Sequence, residues 1–283
     1  MARQSYSFVE VLARAGYGAR GAVYCLVGAL AVFGAIGSGG QTGGSRSALQ
    51  SLIDEPYGKV WLAAIALGLF GFALWRAVES LTDADRRGTS WKALGVRATR
   101  LVSAGIYLSL AFFAASLALG WSVRSNGDER AAQDWTAWLL AQPFGRWILG
   151  LVGLGVIGAG FFFIARGWRG NVTDFLALPA DARRWAVPLG RIGFAARGIV
   201  FALVGAFLGI AAWQSNSSQA HGLGGALQSL ESQPYGWVLL AITAAGLFAF
   251  GLFGFVQASY REINVPDMAD AKAAVADGLA HLR

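Results

Sequence analysis

The sequence predicts an all-α integral membrane protein: six transmembrane helices, arranged as three parallel two-helix repeats with approximate three-fold pseudo-symmetry. Three observations lead there. Of the 283 residues, 55% are hydrophobic and 14% charged, whereas a soluble domain carries about 25% charged residues. The chain therefore lacks the polar residues to cover a water-facing surface. Six apolar stretches have roughly the 20 residues that a helix needs to cross a hydrocarbon core. They are Arg20–Gly37, Val60–Val78, Leu101–Trp121, Trp147–Ala165, Phe194–Trp213 and Trp237–Ala258. A Pro-aromatic-Gly triplet recurs ahead of the second, fourth and sixth of these, as Pro56-Tyr57-Gly58, Pro143-Phe144-Gly145 and Pro234-Tyr235-Gly236.

The first stretch is short and could be read as the apolar region of a signal peptide. The fifth repeats its pattern deep inside the chain, which argues against that. Mean hydropathy of +0.50, with 39 Gly and 11 Trp, fits helices packed in lipid with Trp at the headgroup level. Of the 23 Lys and Arg residues, 15 fall before the first stretch, after the sixth, or in the connections after the second and fourth, and Arg20, Arg76 and Arg197 stand inside stretches near those same ends, which makes 18 on one side. Five fall in the connections on the other side. By the positive-inside rule both chain ends face the cytoplasm. The net charge of +7 is thereby read as topology, with no nucleic acid as a partner. Cys25 is the lone cysteine, so no intrachain disulfide forms.

Proline fixes φ and suits the first turn of a helix. Pro56, Pro143 and Pro234 therefore read as a helix-start turn, with Tyr57, Phe144 and Tyr235 at headgroup level. Twelve residues after each proline stands Gly68, Gly155 or Gly246, read as helix packing through close backbone approach. Gly71 and Gly158 follow three residues later, and Ala249 stands in the third copy. Ahead of the odd stretches, the segment containing Arg14 and Arg20 returns as the segment containing Arg191 and Arg197. The middle copy keeps Arg97 but has Ser103 at the second position. Ala48-Leu49-Gln50-Ser51-Leu52 returns as Ala226-Leu227-Gln228-Ser229-Leu230, read as a short amphipathic helix lying on the outer surface. The expected units are residues 1–92, 93–184 and 185–260. A tail, 261–283, forms a short helix after Pro266. Each unit crosses twice, so the repeats are parallel, and a fold of inverted repeats is disfavoured.

The Ala-Arg-x-Gly-x-x-Ala-Arg-Gly start resembles one known family, as do the Pro-Tyr-Gly turn and the exit from Leu74 to Asp83. It is the bacterial membrane-protein family of unknown function number 1206. The resemblance covers nearly the whole chain and implies three tandem two-helix repeats in a bacterial inner membrane. It implies no activity.

Arg14, Arg20, Arg97, Arg191 and Arg197 are candidates for contacts with lipid headgroups, anions or a partner protein. Arg14 and Arg20 lie about 240° apart around a helix of 3.6 residues per turn, so they point to different sides. Arg76 and Glu79, three apart, share a helix face and form an ion-pair candidate. His221 reads as a solvated loop histidine; Asp128, Glu129 and Asp134 read as surface charge. No stretch has an acidic residue near its centre, and no bis-histidine, phosphate-binding or zinc-protease motif occurs. No catalytic residue, metal site or cofactor is implied. The expected protein is a non-enzymatic scaffold or accessory subunit. It packs against lipids, including anionic headgroups, or other membrane-protein subunits. The alternative is a channel or small-solute/lipid facilitator, with a path along the repeat axis lined by Thr99, Ser103, Ser109 and Ser116.

Overall fold

A computed structural model of the chain describes residues 8–37, 40, 42–81, 90–121, 128–169, 172–173 and 176–262. Among them are six helices long and apolar enough to cross a membrane. These are α1 (Phe8–Ala35), α3 (Gly58–Leu81), α4 (Trp91–Ala118), α6 (Gly145–Arg169), α7 (Ala180–Gln214) and α9 (Gly236–Tyr260). Three shorter helices, α2 (Ser45–Gln50), α5 (Asp128–Leu140) and α8 (Leu223–Glu231), lie in the connections at one end of the bundle. The helix expected after Pro266 lies outside the described residues.

The odd-numbered membrane helices of the sequence begin well before their apolar runs. α7 starts at Ala180, while its apolar run starts at Phe194, and it carries Pro188 inside. The proline ring leaves the Arg184 carbonyl without its helical N–H partner, yet the helix continues. These extensions hold Arg14, Arg97 and Arg191 at what is here termed the arginine-rich end.

The long helices pack in a definite order. The second helix of each unit lies against the first helix of the next: α3 on α4, α6 on α7, and α9 back on α1. Within the first and third units α1 packs on α3 and α7 on α9. The corresponding pair of the middle unit, α4 and α6, is not packed together. The long helices thus form a ring with one unclosed seam.

Glycine makes two of these interfaces possible. A Cβ on Gly21 would stand 2.7 Å from the Gly251 carbonyl oxygen, and one on Gly198 would stand 2.6 Å from that of Gly160. Seven residues on, Gly28 faces the Ala244 carbonyl and Gly205 faces the Gly153 carbonyl. Backbones this close gain dispersion contacts that lipid tails cannot supply. Ala104 and Ala111 occupy the corresponding positions of α4.

The apolar core runs through α1, α3, α4, α7 and α9, and it includes the short helices α2 and α8. Leu49 and Leu227 are fully buried. This corrects the expectation that these segments lie on the outer surface: their Ala-Leu pairs plug the end of the bundle. The Pro-aromatic-Gly turns also differ from expectation. Tyr57, Phe144 and Tyr235 adopt left-handed φ of 60°, 62° and 59°, and each helix begins at the following glycine. The prolines therefore precede the cap instead of occupying the first helical turn. The glycine is needed because a Cβ there would collide with the carbonyl of Leu52, Leu139 or Glu231. The three rings themselves are among the most exposed in the protein.

α5 ties together the end of the bundle that holds the short helices. Asp128 accepts from the Arg46 backbone N–H at 2.9 Å, near the start of α2. Glu129 accepts from the N–H groups of Gly222 and Gly225, the latter at 2.6 Å, at the start of α8. It also meets His221 Nδ1 at 3.1 Å. So Asp128 and Glu129, expected as surface charge, cap the short helices of the two other units. His221, expected to be solvated, belongs to that clasp and stacks edge-on against Phe207.

Burial raises the Asp128 pKa, against the opposing pull of the Arg46 N–H and guanidinium. A carboxyl with a raised folded pKa contributes stability below its unfolded pKa of about 4 and loses it as pH rises through the folded value. Asp128→Asn keeps an acceptor oxygen and removes the charge. Its melting temperature relative to wild type is expected to fall as pH drops from about 7 towards 3.5. The opposite trend would contradict this assignment. Asp128→Ala removes the cap as well and should cost about 1 kcal/mol at neutral pH.

Candidate functional site: the arginine-rich end

The three arginines shared by all units make the same contact three times. Arg14 Nη1 donates to the carbonyls of Ala258 and Ser259 at 2.9 and 2.7 Å. Arg97 donates to Ser80 and Leu81 at 2.6 and 3.2 Å. Arg191 donates to Gly167 and Trp168 at 3.1 and 2.9 Å. Each guanidinium thus satisfies the last carbonyls of the preceding unit's second helix, where the helix dipole also favours a cation. Arg14, Arg97 and Arg191, expected at lipid or a partner, cap helices within the chain. The signal was present in the sequence as an arginine at one register of all three units. Its meaning depends on which helix lies beside it.

The second arginine behaves differently, and, as the helical spacing required, it points elsewhere. Arg20 is 5% exposed. It donates to Gln257 Oε1 at 2.5 Å and lies over the rings of Tyr17, Phe72 and Phe250. It is thus a core residue, not a headgroup contact. Arg197 sits among four rings, its Cζ 5.3 Å from Tyr24, 4.9 Å from Phe163, 5.0 Å from Phe201 and 4.7 Å from Phe250. Phe250 is therefore shared by both guanidinium groups. The surrounding rings meet edge to face: Tyr17 with Phe72, Phe72 with Tyr107, Tyr24 with Phe250 and Phe194 with Phe250.

Glu79 is a hub. It is 1% exposed and bonds Arg76 at 2.8 Å, with Arg261 at 3.3 Å and Arg100 at 3.9 Å. The Arg76–Glu79 contact is thus part of a larger network joining α3, α4 and the end of α9. Nothing in the local spacing pointed to Arg100 or Arg261, because they arrive from other elements.

The packing glycines split into two groups. A Cβ on Gly68 would stand 2.5 Å from Ala19 Cβ, and one on Gly246 would collide with Ala196 Cβ. Gly155 has no atom within 4 Å of its Cβ position, and neither has Gly158. The expected packing role of Gly155 is therefore not met among the described residues. Its neighbour would be α4, whose Val102, the counterpart of Ala19, is exposed. The middle unit is the one whose two helices stand apart.

Three stretches of the chain, residues 15–83, 99–170 and 192–261, each match the family described as Domain of Unknown Function (DUF1206). The chain belongs to the DUF1206 family. Each match covers one two-helix unit, so the DUF1206 chain is a multi-pass membrane protein made of internal repeats. It is similar to the "Uncharacterized protein YxxB" of Bacillus subtilis (strain 168), 32% identical over 266 residues. That alignment covers 93% of this chain and 94% of the relative. No solved structure matches the chain.

Proposed function

We propose that this DUF1206 protein is a non-enzymatic scaffold or accessory subunit of a bacterial inner membrane. A transmembrane helix of another membrane protein seats in the seam between α4 and α6. In this reading both chain ends are cytoplasmic, and the three units stand about an approximate three-fold axis along the membrane normal.

The observation that carries the reading is the unfilled glycine face. At Gly68 and Gly246 the equivalent face receives a helix presenting alanine. At Gly155 and Gly158 it faces open space, and α6 is the least buried of the six long helices. A helix with a small residue at the contact fits that face as α1 and α7 fit theirs. The proposed channel lining argues less well. The Ser116 hydroxyl donates to Phe113 and that of Thr99 to Gly95, both within α4. Ser109 instead receives Arg46. Leucine, valine and phenylalanine fill the core between the helices.

Gly155→Leu tests the proposal. Because nothing lies within 4 Å of that Cβ, the variant should melt at or above the wild-type temperature, with helix propensity improved by up to ~1 kcal/mol. It should lose a protein that co-purifies with the wild type after mild extraction from native membranes. A photo-crosslinker at Leu154, beside the seam, should capture the same partner. Migration of the wild type as a lone monomer, without a crosslink at Leu154, would overturn the scaffold reading.

A further inference from the structure

The second arginine and the residue facing it across each inter-unit interface form a matched set, with one exception. At the α9–α1 interface Arg20 faces Gln257, and the two are hydrogen-bonded. Counting 23 residues from each proline of the Pro-aromatic-Gly turn, the counterparts of Gln257 are Glu79 and Arg166. At the α3–α4 interface the acceptor is Glu79 and the arginine has become Ser103, so Glu79 serves Arg76, Arg100 and Arg261 instead. At the α6–α7 interface both positions are cationic: Arg197 stands where Arg20 does, and Arg166 occupies the acceptor's place. A guanidinium has no acceptor atom.

Arg197 consequently makes no hydrogen bond or ion pair with any described residue, and its buried Nε has no partner. Aromatic faces attract the charge but accept none of its N–H groups in the plane of the guanidinium. The Arg166 guanidinium lies over Phe194, 5.2 Å from its centroid, and Phe194 in turn touches Phe163, which lies beneath Arg197. A second positive charge, Arg20, shares the Phe250 ring. A half-buried fork of donors, ringed by aromatic faces and sharing one of them with a second guanidinium, has the chemistry of a phosphate receptor.

We propose that this interface binds a phosphate-type oxyanion, held by Arg197 with Arg166 beside it. The anion supplies the acceptor that Gln257 supplies to Arg20. A phospholipid headgroup and free phosphate both satisfy this chemistry.

The test uses the full-length protein in nanodiscs. In one arm phosphatidylcholine discs receive increasing phosphatidylglycerol, and bound lipid is counted by native mass spectrometry. In the other arm phosphatidylcholine discs are titrated with inorganic phosphate, followed by phosphorus NMR. Saturable binding in either arm is expected, and the arm that saturates names the source. Arg197→Gln should weaken it by at least about tenfold, and Arg146→Gln, at the opposite end, should leave it unchanged. Arg166→Gln distinguishes loss of the site from loss of the fold. The introduced amide can accept from Arg197 as Gln257 does from Arg20, so binding should fall while helical circular dichroism and elution volume stay at wild-type values. Absence of saturable binding in both arms, or wild-type binding by Arg197→Gln, would overturn the proposal.

Discussion

Replacing Glu79 with alanine is expected to destabilise the protein by about 3–5 kcal/mol, the cost of removing one partner from a buried ion pair. The carboxylate is 1% exposed and sits within 4 Å of three guanidinium groups, those of Arg76, Arg261 and Arg100. Without it Arg76 keeps, among the described residues, the face of Phe72, 5.0 Å from its Cζ. Arg261 lies over the Tyr17 ring, 4.9 Å from its centroid, and would lose its ion pair with the carboxylate. Glu79→Gln retains shape and one acceptor oxygen and should lose less, about 1–3 kcal/mol, as expected for a weakened hydrogen bond to charge. Reversible unfolding in mixed detergent micelles measures both. Equal, small losses for the two variants would show that the hub contributes little.

Gly198→Leu is the second large effect. Its Cβ alone would stand 2.6 Å from the Gly160 carbonyl oxygen and 2.6 Å from Ile164 Cγ1, so the side chain has nowhere to go unless α6 moves away from α7. Overpacking of this kind costs about 1–3 kcal/mol or more. It falls on the contact that fastens α6, because α6 packs against no other long helix. A cysteine pair spanning the interface, or a distance between labels on α6 and α7, would report the separation. An unchanged distance with wild-type melting would contradict the close backbone approach. Gly209→Leu on the same helix, with no atom within 4 Å of its Cβ, is the matched control.

How far the sequence reveals this protein depends on whether a signal is local. The six spans were legible because a hydrocarbon-length run of apolar residues has one physical meaning. The repeat was legible because the Pro-aromatic-Gly turn recurs in order. The lengths of α1, α4 and α7 were not, since their extensions are polar enough to read as connection. The role of Arg14, Arg97 and Arg191 was hidden for another reason. Their acceptors are backbone carbonyls of a helix that is remote in sequence for Arg14, and carbonyls carry no residue signature. Asp128 and Glu129 looked like solvated charge because the N–H groups they cap belong to α2 and α8, about 80 to 100 residues away along the chain. Gly155 misled in the opposite direction. Its register matched Gly68 and Gly246, but register alone does not say whether a neighbour is present. Arg76 with Glu79 was legible as a pair, while the convergence of Arg100 and Arg261 on the same carboxylate was a property of the assembled ring.

The bonds from Arg14 to the carbonyls of Ala258 and Ser259 join the first long helix to the last. A ribosome adds about 5–20 residues per second, so roughly ten to fifty seconds separate the emergence of α1 from that of α9. Through that interval the Gly21 and Gly28 face of α1 has no resident neighbour in its own chain. Whatever shields it, whether lipid or an insertion factor, must leave when α9 arrives. Completion of the fold is therefore tied to the emergence of α9, and a product cut short before α9 leaves α1 without its principal contact.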